Sequence, residues 1–392
     1  MSHISKPMRS LGFVWFAVAA VFPLFAQVRL TEDFENGLDR WVLDGAHGIR
    51  TVDSGDPAHG KVLELAAQGP VSVLAKDSEQ WGPLAVEGAF YFPVSGRAYI
   101  GFLYHATSTA SRRDFGCLYV KGNGSYIRAN PWRDGNVSRL LYEEYKTKLH
   151  GEAAVKPRVW QRFRLEVAGK DCHLYIGDMS RPQITFDLYE GRSGAVGFQP
   201  RIVGDPVWID DVRVTSIQKL SYQGPPIPEI TYGADRLLTD WEVMGPLSRP
   251  YRAVEYEDAH QAEGRRWQRF ETDRRGAVVT GRVTQYDGPL GTAYFRTTVK
   301  VDQAQTRFLH ITTTDELALW VNGRYEGFVY RDGYMSGEKN DWNAWFDFLD
   351  EEGHRGRRHD LQLQPGENRI VVRVRNGQFA SGGFFAALEK AP

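Results

Sequence analysis

Apolar positions along the chain recur with period two far more often than with the helical period. Residues 61–66 (KVLELA) alternate, and residues 160–167 (WQRFRLEV) place Trp160, Phe163, Leu165 and Val167 on or near one face. Segments 98–104, 115–120, 125–129, 173–176 and 207–214 also read as strands. The second half repeats the pattern at 293–301, 307–312, 317–321, 327–330, 359–363 and 370–374. Turn signals separate these runs: Asn123-Gly124, Asn322-Gly323 and Gln364-Pro-Gly-Glu. Two stretches read as helix instead. One is short, at 140–148. The other starts at Asp341, with Trp342, Trp345, Phe346 and Leu349 at i, i+3, i+4 and i+7, capped by Asp341 and ended by Gly353.

Many short strands with turns between them predict an all-β protein of packed antiparallel sheets. Pro225, Pro226 and Pro228 with Gly224 mark residues 218–231 as an extended linker. The expected organisation is therefore two antiparallel β-sandwich (jelly-roll) domains, 27–217 and 232–392, joined by that proline-rich segment. The chain has 392 residues, long enough for two domains, and 40 Gly and 19 Pro suit a turn-rich β fold. A net charge of −1 supplies no global basic field, so nucleic acid is not expected as a partner.

Lys6 and Arg9 precede an apolar stretch at 11–26 that is shorter than a membrane-spanning helix. With the small residue Ala26 at its end, residues 1–26 read as a signal peptide, against the alternative of an uncleaved anchor. The expectation is an exported protein, periplasmic or extracellular, whose mature chain has no transmembrane segment. Two cysteines remain, Cys117 and Cys172, before similar text (CLYV and CHLYI). They are either a disulfide or two buried thiols.

Three pieces of the first half resemble a known family: Glu32-Asp-Phe-Glu-Asn-Gly37, the 160–167 strand with Leu174-Tyr-Ile-Gly177, and Trp208-Ile-Asp-Asp-Val-Arg-Val214. Together they are similar to the concanavalin A-like (laminin-G-like) jelly rolls of exported bacterial proteins, among them the 3-keto-disaccharide hydrolase type. In the second half, Asp315-Glu-Leu-Ala-Leu-Trp-Val-Asn-Gly323 followed by 363–374 (LQPGENRIVVRV) resembles a galactose-binding-like sandwich. The resemblance implies carbohydrate-related function and carries over no catalytic residue.

The chain has no His-Glu-x-x-His, Walker loop, dinucleotide-binding glycine pattern or Gly-x-Ser-x-Gly elbow. The Glu-x-Asp-x-x-Glu strand of jelly-roll glucanases is also missing. Four groups of residues remain. Tyr104, His105, Arg112, Tyr126, Arg128, Asn130, Trp132 and Arg133, with Arg113 beside them, offer rings and planar polar groups for a sugar. The alternative is core aromatics with solvated arginines. Trp342 and Trp345 are a second sugar platform or a buried helix face. Glu32, Asp33 and Glu35 with Asp210 and Asp211 would hold a structural Ca²⁺ if the first and last strands pair, or are solvated edge charges. The arginines at 265–275 and 355–358 read as solvated surface, with an anionic polysaccharide partner as the alternative.

The expected function is carbohydrate binding, accessory to polysaccharide recognition or degradation. The rival is a glycoside hydrolase or related sugar-cleaving enzyme acting through the first jelly roll, and a third reading is an envelope protein with a structural or adhesive role. On balance the chain reads as a binder rather than an enzyme.

Overall fold

The computed structural model describes residues 27–45, 48–66, 71–94, 98–109, 112–122, 126–129, 132–133, 136–137, 147–187, 194–201, 205–227, 237–247, 264–272, 276–280, 283, 292–313, 316–329, 357–375 and 383–389. The expected signal peptide at 1–26 and the helix expected from Asp341 lie outside them. Among the described residues there is no α-helix, and the 3-10 turns include Ser78–Gln80 and Gly151–Ala153. The short helix expected at 140–148 is not seen at its described end. Thr147–Lys148 is a strand paired with Tyr126 and Ile127.

The strands form four antiparallel sheets. Two are built wholly from residues before 217. The first runs Ile184–Asp187, Asp171–Ile176, Gln161–Ala168, Leu84–Tyr91, Val207–Ser216, Lys61–Leu65, Ile49–Asp53, with Val28–Glu32 also on Val207–Ser216. The second runs Asn136–Val137, Trp132–Arg133, Arg112–Lys121, Tyr99–Thr109, Ala195–Arg201, Ser72–Ala75, Trp41–Asp44, with Tyr126–Ala129 added beside Arg112–Lys121. One apolar core lies between them. Phe90, Phe163 and Ile209 enter it from the first sheet, and Phe102, Leu118 and Phe198 from the second. Phe102 and Phe163 meet at 4.7 Å between ring centres, so the two sheets interlock through aromatic pairs. Backbones also approach closely. A Cβ on Gly197 would lie 1.9 Å from the Val73 carbonyl oxygen, so only glycine fits.

The later residues build a six-stranded sheet (Gln268–Glu271, Asp240–Leu247, Thr292–Val301, Gly366–Arg375, Glu316–Val321, Arg324–Val329) and a four-stranded one (Val278–Val279, Gly383–Leu388, Gln305–Thr313, Arg357–Leu363). They enclose a second core that includes Trp241, Phe295, Leu319, Leu361 and Phe384. Both hairpin turns expected in this half are present, with Asn322 and Gly323 at φ 50° and 80° and Gly366 at φ 91°, and the one expected at Asn123-Gly124 lies outside the described residues. The two turns are laced together: Asn322 Nδ2 donates to Asn368 Oδ1 at 2.8 Å, and Arg369 N donates to Asn322 Oδ1 at 2.8 Å.

The expected linker is tied down over its described part, 218–227. Ser221 donates through N and Oγ to Glu166 at 2.8 and 2.6 Å. Ile227 exchanges hydrogen bonds with Thr185 on the Ile184–Asp187 edge strand, which covers part of that open edge. Ala277, Val279 and Phe385 join the buried cluster of the first sandwich, so the two cores are not fully separate.

Candidate functional site

The site begins with a phase break in one strand. In Val207–Ser216 (VWIDDVRVTS), Val207 and Ile209 face the core, and so do Val212 and Val214. Strict alternation cannot satisfy both pairs, because one residue too many lies between them. The register against Leu84–Tyr91 slips there, from Asp210 opposite Ala89 to Arg213 opposite Glu87. This is a β-bulge, and Asp211 adopts φ 53° within it. Successive carboxylates on a regular strand point to opposite faces. Here Asp210 and Asp211 both reach the same histidine, away from the core.

That histidine is His59, in the loop before Lys61–Leu65. Its Nδ1 lies 2.8 Å from Asp210 Oδ2 and 3.6 Å from Asp211 Oδ2. Glu35 anchors the loop by accepting a hydrogen bond from Lys61 N at 2.7 Å. The Glu35 carboxylate sits where a Cβ on Gly60 would be, and Gly60 has φ 45°, so glycine is required beside His59. Asp210 is only 2% exposed. Burial pushes its carboxyl up to about 6, opposed by the hydrogen bonds from His59 and the Asp211 backbone N–H. Its Oδ1 has no hydrogen-bond partner among the described residues. Asp211 is open to solvent.

Aromatic rings continue from the histidine across the sheet. His59 stacks on Trp160 at 3.9 Å and 25°; Trp160 lies 5.0 Å from Tyr91, and Tyr91 stacks on Trp208 at 5.3 Å and 16°. The row follows from register: Tyr91 is opposite Trp208, Trp208 opposite Glu64, and Glu64 opposite Arg50. Trp208 Nε1 donates to Glu64 Oε2 at 3.1 Å, and Arg50 pairs with the same carboxylate at 2.8 Å. All four rings are partly exposed. The row thus places partly exposed rings next to a buried acid, an exposed acid and an imidazole. Aromatic faces accept the C–H faces of a sugar ring, and planar polar groups take its hydroxyls.

The residues expected from sequence fall in several places. The first and last strands of the first sandwich do pair, Glu32 opposite Val212. Glu32, however, is buried and spent on structure, accepting from Phe34 N and Trp41 Nε1 at 3.0 and 3.3 Å. Asp33 holds a turn by accepting from Glu35 N at 3.2 Å. Of the five acids considered for Ca²⁺, Asp210 and Asp211 come together, and their third partner is His59 rather than Glu32, Asp33 or Glu35. His59 and Tyr91 carry no sequence motif, and Trp160 heads a strand motif that gives no sign of a site. The readable signals are the two acids on the last strand and the break in alternation between them.

The other sugar candidates divide across the second sheet. Tyr104 faces the core, fully buried, with burial and the neighbouring Cys172 thiol holding its hydroxyl well above the ordinary tyrosine range. His105, at φ 51°, places Nε2 2.6 Å from the Gly169 carbonyl oxygen and ties the two sheets together. Tyr126 and Arg128 share the opposite face as expected, while Ile127 and Ala129 enter the core. Both are buried: Tyr126 Oη lies 2.9 Å from Tyr99 Oη, and the Arg128 guanidinium stacks over Tyr126 at 4.8 Å. Arg112, Trp132 and Arg133 are placed on strands, Trp132 opposite Phe115. Asn130, Trp342 and Trp345 lie outside the described residues.

Cys117 and Cys172 are both buried and form no disulfide. Cys117 belongs to the outer cluster of the second sheet with Tyr99 and Tyr119, whereas Cys172 faces the core from the first sheet. Among the described residues no helix is long and apolar enough to cross a membrane.

No family model matches the chain, and no curated protein matches it. Solved structures do. The chain is similar to a carbohydrate-binding module from Bacillus subtilis, at 14% identity over 45% of this chain and 96% of that one, with a TM-score of 0.34. It is similar to a Bacillus subtilis protein of galectin-like fold, at 11% identity over 49% and 98%, with a TM-score of 0.35. A GH16 protein of the Bacteroides ovatus mixed-linkage glucan locus, in complex with its product, aligns at 13% identity over 47% and 99%, with a TM-score of 0.36.

Proposed function

We propose that the chain is an exported carbohydrate-binding protein, accessory to polysaccharide recognition or degradation, and that it binds sugar on the aromatic row of its first sandwich. The observation that carries this reading is the continuous row of ring contacts through Trp208, Tyr91, Trp160 and His59, ending at Asp210 and Asp211. A ring platform alone would suit many apolar ligands. A platform flanked by two carboxylates and an imidazole suits a ligand with apolar faces and a hydroxyl rim. Export fits the leader-like residues 1–26, and residues 27–217 and 232–392 are taken as the two domains. Affinity electrophoresis against a panel of soluble polysaccharides tests the binding: at least one should retard the native chain and fail to retard Trp208→Ala. Unaltered migration across a broad panel would overturn the proposal.

One observation favours a sugar-cleaving reading instead. Asp210 holds its proton up to about pH 6 beside His59, which suits a general acid. That reading predicts new reducing ends from the retained polysaccharide, abolished in Asp210→Asn. A bound polysaccharide left intact would exclude it.

A further inference from the structure

We propose that His59, Asp210 and Asp211 form a binding site for a first-row transition-metal dication, of the Zn²⁺ or Mn²⁺ kind. The three residues offer one ligand atom each, and these atoms all lie within 4.8 Å of one another. An ion with ligands about 2.0–2.2 Å away fits among them after small side-chain shifts. The set contains one imidazole and two carboxylates, which suits a borderline metal better than the all-oxygen preference of Ca²⁺.

A second observation points to a cation. Asp210 is buried, its carboxylate is turned toward His59, and its Oδ1 has no hydrogen-bond partner among the described residues. A buried carboxylate oxygen without a partner is costly, and a cation relieves that cost directly. The bulge brings the second negative charge to the same point, where like charges repel unless a cation separates them. Trp160 stacks on the imidazole and restrains the ring orientation. Glu35 and Gly60 fix the loop that carries it. With three protein ligands, the remaining coordination positions open toward solvent beside Asp211, whose side chain is 63% exposed. On the reading that the row binds sugar, those positions would take sugar hydroxyls.

The test needs no sugar. The full chain, stripped with a chelator, is titrated separately with Zn²⁺, Mn²⁺ and Ca²⁺ by calorimetry. The expected result is one Zn²⁺ or Mn²⁺ per chain, bound more tightly than Ca²⁺ and weakened about tenfold or more in His59→Gln and in Asp211→Asn. Asp211→Asn is the safer variant for folding, because its side chain is exposed and asparagine tolerates the left-handed backbone. Absence of stoichiometric uptake of Zn²⁺ and Mn²⁺, equal uptake by both variants, or tighter binding of Ca²⁺ would each overturn the site. Metal uptake by a chain that binds no polysaccharide would leave the site standing and remove the sugar reading. Sugar binding unaffected by chelator, in a chain with no metal uptake, would do the reverse.

Discussion

Asp210 Oδ2 and His59 Nδ1 lie 2.8 Å apart although 151 residues separate them in sequence. The pair joins the last strand of the first sandwich to a loop near its beginning. Two local irregularities create it. The bulge at Asp210-Asp211 turns both acids to one side, and Gly60 lets the Glu35 carboxylate close against the His59 loop.

Trp160 is the hinge of the aromatic row, touching both His59 and Tyr91. Trp160→Ala should therefore reduce polysaccharide affinity by at least about tenfold, roughly 1.4 kcal/mol. Calorimetry with a polysaccharide retained in the electrophoresis panel measures this. Affinity within twofold of wild type would remove Trp160 from the surface.

Tyr126 was a sugar candidate by sequence, yet it is buried with its hydroxyl against Tyr99. Tyr126→Phe should cost about 1 kcal/mol of stability by leaving Tyr99 short of a partner, and leave sugar affinity unchanged. Denaturant unfolding and the same calorimetry report the two effects separately.

Gly197 faces the Val73 carbonyl across the second sheet with no room for a side chain. Gly197→Ala should destabilise the chain by about 2–4 kcal/mol, because backbone rather than a flexible side chain must move. Urea unfolding of the variant checks this, and a loss under about 0.5 kcal/mol would mean that the strands adjust freely.

The thiols give a chemical prediction. Cys117 packs outside the second sheet and Cys172 inside the core, so they cannot pair without rearranging that sheet. Mass spectrometry should find both alkylated when the protein is denatured without reductant, and neither when it is native.

A pH effect is expected at Glu242. Arg296 Nε donates to it at 2.6 Å and holds its carboxyl below the usual glutamate range, against partial burial. The folded-state value is depressed, so the contribution to stability is present above the ordinary glutamate range and is lost as pH falls through the lowered one. The Glu242 side chain is 45% exposed, so solvent screens the pair and its contribution is under about 1 kcal/mol. A carboxyl-resolved NMR titration should place Glu242 below an ordinary glutamate, and return it to that range in Arg296→Ala.

Much of the fold is legible in period-two alternation. Asn322-Gly323 and Pro365-Gly366 turn as their residue types require, and Phe163, Leu165 and Val167 share the core face. The site is less legible. Asp210 and Asp211 are legible as acids on a last strand that pairs with the first, and the broken alternation of VWIDDVRV marks the bulge between them. His59 comes from a loop without a motif, and its partners are set by register across five strands. Tyr126 and Arg128 alternate correctly, but alternation alone cannot tell a solvent-facing side from a second buried cluster.

On the proposal above, sugar binds the Trp208–Tyr91–Trp160–His59 row. A side-by-side titration of wild type, Trp160→Ala and Tyr126→Phe with one retained polysaccharide decides it. Wild type and Tyr126→Phe should bind, and Trp160→Ala should lose at least about tenfold in affinity. Binding kept in Trp160→Ala and lost in a folded Tyr126→Phe would contradict it.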